Sequence, residues 1–175
     1  MKKLRLFAPI VLLLALVVGL TAIRAQAQRS GVTPLDPAAK AALLTALAGP
    51  DGEYAARAEY AAILAKFGAS VQPYAGIYEA EVKHVAALEQ QCAKFGVPLP
   101  PDTYWGRVAA PATLLDAAKT GVVAEIANVA MYAQELSIVQ SYPSLVQVFT
   151  NLRNASLYHH LPAFQAAVEN DGVLP

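Results

Sequence analysis

Residues 77–88 carry an acid and an imidazole within an otherwise apolar helical stripe. Ile77, Glu81, His84 and Leu88 follow one another at intervals of four, three and four residues, which places them on one face of an α-helix. A carboxylate and an imidazole buried on this face without partners would cost several kcal/mol. The chain must therefore fold so that other groups compensate Glu81 and His84.

Three further helical stripes carry one such polar side chain each: Glu53, Glu125 and His160 occupy positions that are otherwise apolar or aromatic. Inside a helical bundle, a Glu from each of two helices and a Glu-x-x-His pair from each of the others hold two metal ions. Carboxylates can bridge or cap such ions, and imidazoles bind them terminally. The predicted metal ligands are therefore Glu53, Glu81, His84, Glu125 and His160. This mixture of oxygen and nitrogen ligands suits one or two Fe ions, or Mn or Zn.

Each candidate ligand also has an interpretation that involves no metal. An inward histidine is commonly a hydrogen-bonded core residue, and for His160 this interpretation is as good as ligation. Glu53 lies near a helix start, where the helix dipole favours an acid. Glu125 lies in mid-helix, where the dipole offers no such reason. Tyr60 and Tyr132 are predicted to be core aromatics whose hydroxyl groups reach water.

The first 27 residues have the pattern of a secretory signal. Three basic residues precede an uncharged apolar run over residues 6–23, and Ala25-Gln26-Ala27 provides a small-x-small cleavage site. Cleavage near Ala27 would deliver the protein to the periplasm or the extracellular space. The alternative is an uncleaved anchor, since about 18 apolar residues can just span a bilayer. The sequence predicts membrane contact only in that case.

The remaining chain is acidic and has a single cysteine. Residues 1–27 contain four of the 13 Lys and Arg residues and none of the 13 Asp and Glu residues, so the rest carries a net charge of −4. No basic stripe survives, which argues against nucleic acid as a partner. About 148 residues suffice for one domain with a sizeable core. Cys92 is alone, so no intramolecular disulfide forms and stability must come from packing.

Helix start and stop signals divide the chain into a short helix and a bundle. Residues 28–50 are predicted to form a lead-in and a helix over residues 38–47, with Asp36 as N-cap and Pro37 at the first helical position. Residues 51–170 are predicted to form four further helices, over residues 51–67, 73–95, 113–138 and 143–170. The solvent-exposed faces are expected to carry Glu59, Glu79, Glu89 and Glu135.

The fold class predicted from these signals is all-α. Alanine is abundant and the alternation typical of strands is absent. Three prolines between positions 97 and 102 exclude a helix there, so residues 97–111 form a long crossover between the second and third bundle helices. Residues 53–60 and 125–132 both read Glu-x-Ala-x-x-Ala-x-Tyr. This internal repeat relates the first and third bundle helices, each of which opens a pair of consecutive helices.

Several segments in order resemble the ferritin-like superfamily, and especially a bacterial branch of small, often exported domains of unassigned function. The clearest are Glu79-Ala80-Glu81-Val82-Lys83-His84 and Glu53-Tyr54-Ala55-Ala56-Arg57-Ala58. The similar segments comprise residues 53–58, 67–77, 79–84, 95–100, 124–128, 151–156 and 160–164. The resemblance implies a ferritin-like antiparallel four-helix bundle with a long crossover and, here, a short extra N-terminal helix. It also implies that the five predicted ligands line a centre that holds two irons in active relatives.

The chain departs from the ferritin-like pattern at one position. A second complete Glu-x-x-His would require Glu at position 157, where this chain has Leu157. A water could replace the missing oxygen ligand, a single metal could bind, or the site could be vestigial.

Two hypotheses follow for the function. The first is an exported non-haem iron protein that binds or oxidises iron or removes an oxidant, as a ferroxidase or peroxidase does. The second is a metal-free helical bundle that acts as a structural, stress-response or interaction module. A homodimer would suit a bundle of this size.

Overall fold

The structure, a computed structural model, describes residues 34–174, and the predicted signal segment 1–27 lies outside them. The described residues form helices joined by irregular segments and contain no strand, which confirms the all-α fold class. None of these helices is long and apolar enough to cross a membrane. The helices are α1 (Pro37–Ala48), α2 (Glu53–Phe67), α3 (Tyr74–Phe95), α4 (Leu114–Ile138), α5 (Pro143–Ala155) and α6 (Leu161–Glu169), with a π-helical turn at Ser156–His160 between the last two.

The boundaries of the first four helices follow local signals and lie within two residues of the predicted ones. The carboxylate of Asp36 accepts a hydrogen bond from the backbone N–H of Ala39 at 2.8 Å and caps α1. The hydroxyl of Thr113 accepts one from the N–H of Asp116 at 3.1 Å and caps α4 in the same way. Gly96 ends α3 at a φ of +65°, a left-handed conformation that favours glycine.

The helix predicted over residues 143–170 is interrupted by the π-helical turn. The N–H of Leu161 donates to the carbonyl of Ser156, five residues earlier. Pro162 has no N–H to donate, and its ring crowds the carbonyl four residues before it. A wider turn accommodates the proline, so the break takes the form of a π turn. Such turns often occur at functional sites, and here the turn carries His160.

The buried apolar residues form two clusters with a polar layer between them. Leu88 and Phe149 belong to one cluster, and Ile77 and Phe164 belong to the other. Along α3, the inward turn between Ile77 and Leu88 carries Glu81, which is 2 % exposed. The polar layer is therefore enclosed by hydrophobic packing at both ends.

Three of the four acids predicted to face solvent are buried or half-buried. Glu135 is buried, at 7 % exposure, because α1 packs against α4 and Thr45 of α1 lines the same cleft as Glu135. Burial raises the pKa of the Glu135 carboxyl group. Glu59 is half-buried, whereas Glu79 is exposed as predicted. Glu89 is half-buried and accepts a hydrogen bond from a tyrosine hydroxyl.

Close packing of α4 against α6 depends on Gly121. A Cβ atom at this position would lie 2.8 Å from the ring of Phe164, nearer than real Cβ contacts allow. Gly76 of α3 provides a contrast, because it is exposed and a Cβ there would meet only the side-chain oxygen of Gln72 at 3.4 Å.

Candidate metal centre

The structure brings all five predicted ligands together in the polar layer. Glu53 of α2, Glu81 and His84 of α3, Glu125 of α4 and His160 of the π turn all face the interior. The three carboxylates are at most 2 % exposed and His160 is 4 % exposed. The side chain of His84 is 12 % exposed. The helical stripes predicted that each residue faces inward, and the packing of the helices makes them meet.

Glu81 lies at the middle of the cluster and contacts both imidazoles. Its Oε2 lies 3.1 Å from Nδ1 of His84, and its Oε1 lies 3.1 Å from Nδ1 of His160. Nδ1 of His84 is also 3.4 Å from Oε2 of Glu53, and Nδ1 of His160 is 3.4 Å from Oε1 of Glu125. The centre is therefore two triads that share one carboxylate.

The first triad is Glu53, Glu81 and His84, and the second triad is Glu81, Glu125 and His160. Within each triad the potential donor atoms lie within 4.8 Å of one another, so each group could hold a metal ion. The sequence left open whether Glu53 and Glu125 bridge or cap. The structure places Glu81 between the two triads and Glu53 and Glu125 at the ends.

The distances within the triads suit donors that share one ion. Two donor atoms about 2.1 Å from the same ion lie about 3.0 to 3.4 Å apart at octahedral or tetrahedral angles. The observed imidazole–carboxylate distances of 3.1 and 3.4 Å fall in this range. Charged hydrogen bonds have similar lengths, so these distances alone do not distinguish a metal site from a hydrogen-bonded cluster. Buried polar atoms without a hydrogen-bond partner make that distinction.

Each triad contains one buried polar atom that has no hydrogen-bond partner. These atoms are Oε2 of Glu53 and Nδ1 of His160. Nδ1 of His160 is near two carboxylates, yet neither contact has the geometry of a hydrogen bond. A buried polar group left without a partner costs about 1–3 kcal/mol. A cation in each triad would satisfy both atoms.

Two buried tyrosines hold the terminal carboxylates in place. The hydroxyl of Tyr60 donates to Oε1 of Glu125 at 2.7 Å, and the hydroxyl of Tyr132 donates to Oε1 of Glu53 at 2.5 Å. The tyrosine of each repeat motif therefore binds the glutamate of the other motif. The prediction that these hydroxyl groups reach water was wrong, because their acceptors come from a different helix. Burial, followed by the nearby carboxylates, raises both tyrosine pKa values well above the usual range.

Asn128 is a site residue that was not predicted. Its Nδ2 donates to the carbonyl of Asp51 at 3.1 Å and to Oε1 of Glu53 at 3.4 Å, and its Oδ1 accepts from the hydroxyl of Ser156 at 2.8 Å. Glu53 thus has two donors on one oxygen while its other oxygen points into the first triad. Asn128 follows Glu125 by three residues and shares its helical face, which was the available signal.

Ser156, and not Leu157, shares the inward face of the π turn with His160. Ser156 is buried at 2 % exposure, whereas Leu157, at the position of the missing Glu, is half-buried. The hydroxyl of Ser156 is bound to Asn128. The second triad therefore gains no additional carboxylate from this segment.

Without an ion, the centre can offset its own charges. Burial opposes charge on His84, but the neighbouring carboxylates of Glu53 and Glu81 outweigh this and raise its pKa to about 10. The pKa of His160 rises to about 9 for the same reason, through Glu125 and Glu81. Burial raises the pKa of Glu53, whereas the neighbouring Glu53 carboxyl group and the two imidazoles lower that of Glu81 in spite of burial. A metal ion must therefore displace protons to bind.

No protein-family model, curated protein or solved structure matches the chain. The fold and the site define it as a helical protein with a buried carboxylate–histidine cluster.

Proposed function

We propose that the protein is an exported ferritin-like protein that binds one or two transition-metal ions, foremost iron, with Mn or Zn as alternatives. In this proposal the bundle is antiparallel, residues 97–111 form the long crossover between α3 and α4, and α1 is the extra N-terminal helix. The main support is the pair of unsatisfied buried atoms, Oε2 of Glu53 and Nδ1 of His160. Hydrogen bonds within the chain do not account for these two atoms, whereas a bound cation would.

The charges and ligand types of the cluster support this assignment. Three carboxylates supply three negative charges when ionised, which offset most of the charge on two divalent ions. Two imidazole nitrogens add borderline-soft donors, a combination suited to iron, manganese or zinc. Five protein ligands cannot fill the coordination of two ions, so positions would remain for water or a small molecule.

Each side chain of the site has a distinct role in this proposal. Glu81 would bridge two ions through its separate oxygens, and His84 and His160 would each bind one ion through Nδ1. Tyr60 and Tyr132 orient the terminal carboxylates through their hydroxyl groups. Bound iron would supply redox chemistry, so oxidation of iron or removal of a small oxidant is the proposed activity.

Elemental analysis of protein purified without chelator tests this proposal. We expect stoichiometric metal in the wild-type protein and its loss in the Glu81→Ala/His84→Ala double variant. A matched Glu79→Ala/Lys83→Ala variant on the same helix alters two exposed residues and should retain the metal. Wild-type protein that refuses added Fe(II), Mn(II) and Zn(II) would overturn the proposal.

One observation favours a second candidate, a metal-free structural, stress-response or interaction module. The raised pKa values of His84 and His160 allow two imidazolium groups to neutralise carboxylates without any ion. The buried polar layer would then fix the alignment of the helices, a role that such groups have in some helical assemblies. The same elemental analysis decides between the two, because this candidate requires clean apo protein that takes up no metal.

A further inference from the structure

A narrow cleft between α2 and α4 leads to the second triad. Its walls are formed by small residues that include Gly52, Ala55 and Ala124, and Glu81 and Glu125 form part of its lining. The cavity volume is about 50 Å³. Helices α2 and α4 touch only sparsely, and the small residues on the facing walls leave a gap between them.

Glu59 also lines this cleft, next to the residues of the site. It is half-buried, and within the described part of the chain it forms neither an ion pair nor a side-chain hydrogen bond. Burial, followed by the nearby carboxylate of Glu125, raises its pKa. The carboxylates of Glu59 and Glu125 repel one another when both are ionised.

We propose that this cleft is the path by which a divalent cation reaches the site, and that Glu59 captures the cation at its outer part. The proposal rests on the metal-binding function proposed above. A cation between Glu59 and Glu125 relieves the repulsion between the two carboxylates. It then reaches the carboxylates of the second triad without crossing apolar packing.

The lining of the cleft also determines which triad receives the ion first. Glu125 of the second triad and the shared Glu81 line the cleft, whereas Glu53 and His84 of the first triad do not. The second triad therefore fills first, and the shared Glu81 passes an ion on to the first triad. A cavity of about 50 Å³ accepts a cation with one or two waters and excludes a metal held in an organic chelate.

Stopped-flow loading of the full chain with Co(II), followed by its visible absorption, tests the path. Glu59→Gln keeps the shape of the side chain and removes its charge, and should slow loading roughly fivefold at low ionic strength, with a smaller effect in high salt. Ala124→Leu fills the cleft and should slow loading by at least roughly tenfold, because entrance then waits for side-chain motion. Both variants should reach the wild-type final occupancy. Glu79→Gln removes the same charge from an exposed site on α3 and should load at the wild-type rate.

The possible outcomes separate this inference from the proposed function. Wild-type loading rates in both Glu59→Gln and Ala124→Leu would overturn the path while leaving metal binding intact. A lower final occupancy in Glu59→Gln would make Glu59 a ligand, which also contradicts a role confined to the path. Wild-type protein that binds no Co(II) would overturn the metal-binding function, and the path with it.

Discussion

The substitution Glu81→Gln is the most direct test of the shared carboxylate. It preserves the size of the side chain and removes the negative charge that lies 3.1 Å from both His84 and His160. In metal-free protein, breaking a buried ion pair costs about 3–5 kcal/mol. Each imidazole keeps a second carboxylate at 3.4 Å, so the lower end of this range, about 3 kcal/mol, is expected.

Urea unfolding in the presence of a chelator, followed by circular dichroism at pH 7, measures this cost. With a denaturant slope of about 1–3 kcal/mol per molar urea, a loss of about 3 kcal/mol lowers the midpoint by about 1–3 M. The exposed Glu79→Gln control on the same helix should stay within about 0.5 kcal/mol of wild type.

The same experiment with metal present tests the bridging role of Glu81. A ligand at 100 times its dissociation constant stabilises a protein by about 2.7 kcal/mol. We expect wild-type protein to gain stability of this order from Fe(II) or Zn(II), and the Glu81→Gln variant to gain almost none, since both triads lose a donor. The idea that Glu81 joins the two triads is refuted if the variant unfolds at the wild-type midpoint without metal and gains as much stability from metal as the wild-type protein does.

Three further predictions concern pH and packing. The folded state raises the pKa of His84 from 6.5 to about 10 and that of His160 from 6.5 to about 9. The stability that the two imidazoles contribute to metal-free protein should therefore be complete below pH 6.5 and be lost as the pH rises through 9 and 10. Unfolding midpoints that stay flat from about pH 6 to about pH 10 would contradict this. Tyr132→Phe removes a hydrogen bond to a buried carboxylate and should cost about 1.5–3 kcal/mol in urea unfolding, and a negligible loss would refute that bond. Gly121→Ala should lower the free energy of unfolding by about 1–3 kcal/mol because its Cβ would overlap an aromatic ring. The exposed control Gly76→Ala should leave the free energy of unfolding unchanged or raise it by up to about 1 kcal/mol. Equal thermal shifts for the two variants would refute the packing argument.

The helices and their inward faces could be predicted because both depend on neighbouring residues. An N-cap such as Asp36 acts on the next turn, and a C-terminal glycine such as Gly96 acts on the turn before it. The inward orientation of Glu81 follows equally from residues within two turns of it. These local signals placed both ends of four helices within two residues and assigned five polar side chains to the interior.

The errors arose where distant parts of the chain meet. Glu135 lies on a face that looks exposed along α4, and α1 packs against that helix. The hydroxyl of Tyr132 was expected in water, yet it meets Glu53, 79 residues away. No periodicity in a single helix contains this information, since it depends on how one helix is rotated and shifted against another.

The amino-acid sequence by itself therefore determined an all-helical chain that turns three acids and two imidazoles towards its interior. Only the tertiary structure decided that Glu81 lies between His84 and His160 and that the two repeat motifs exchange their tyrosine–glutamate bonds. The physical reason is one of range. Helix formation and amphipathicity are set within one or two turns, whereas a buried site requires atoms from four segments to agree in position within a few tenths of an ångström.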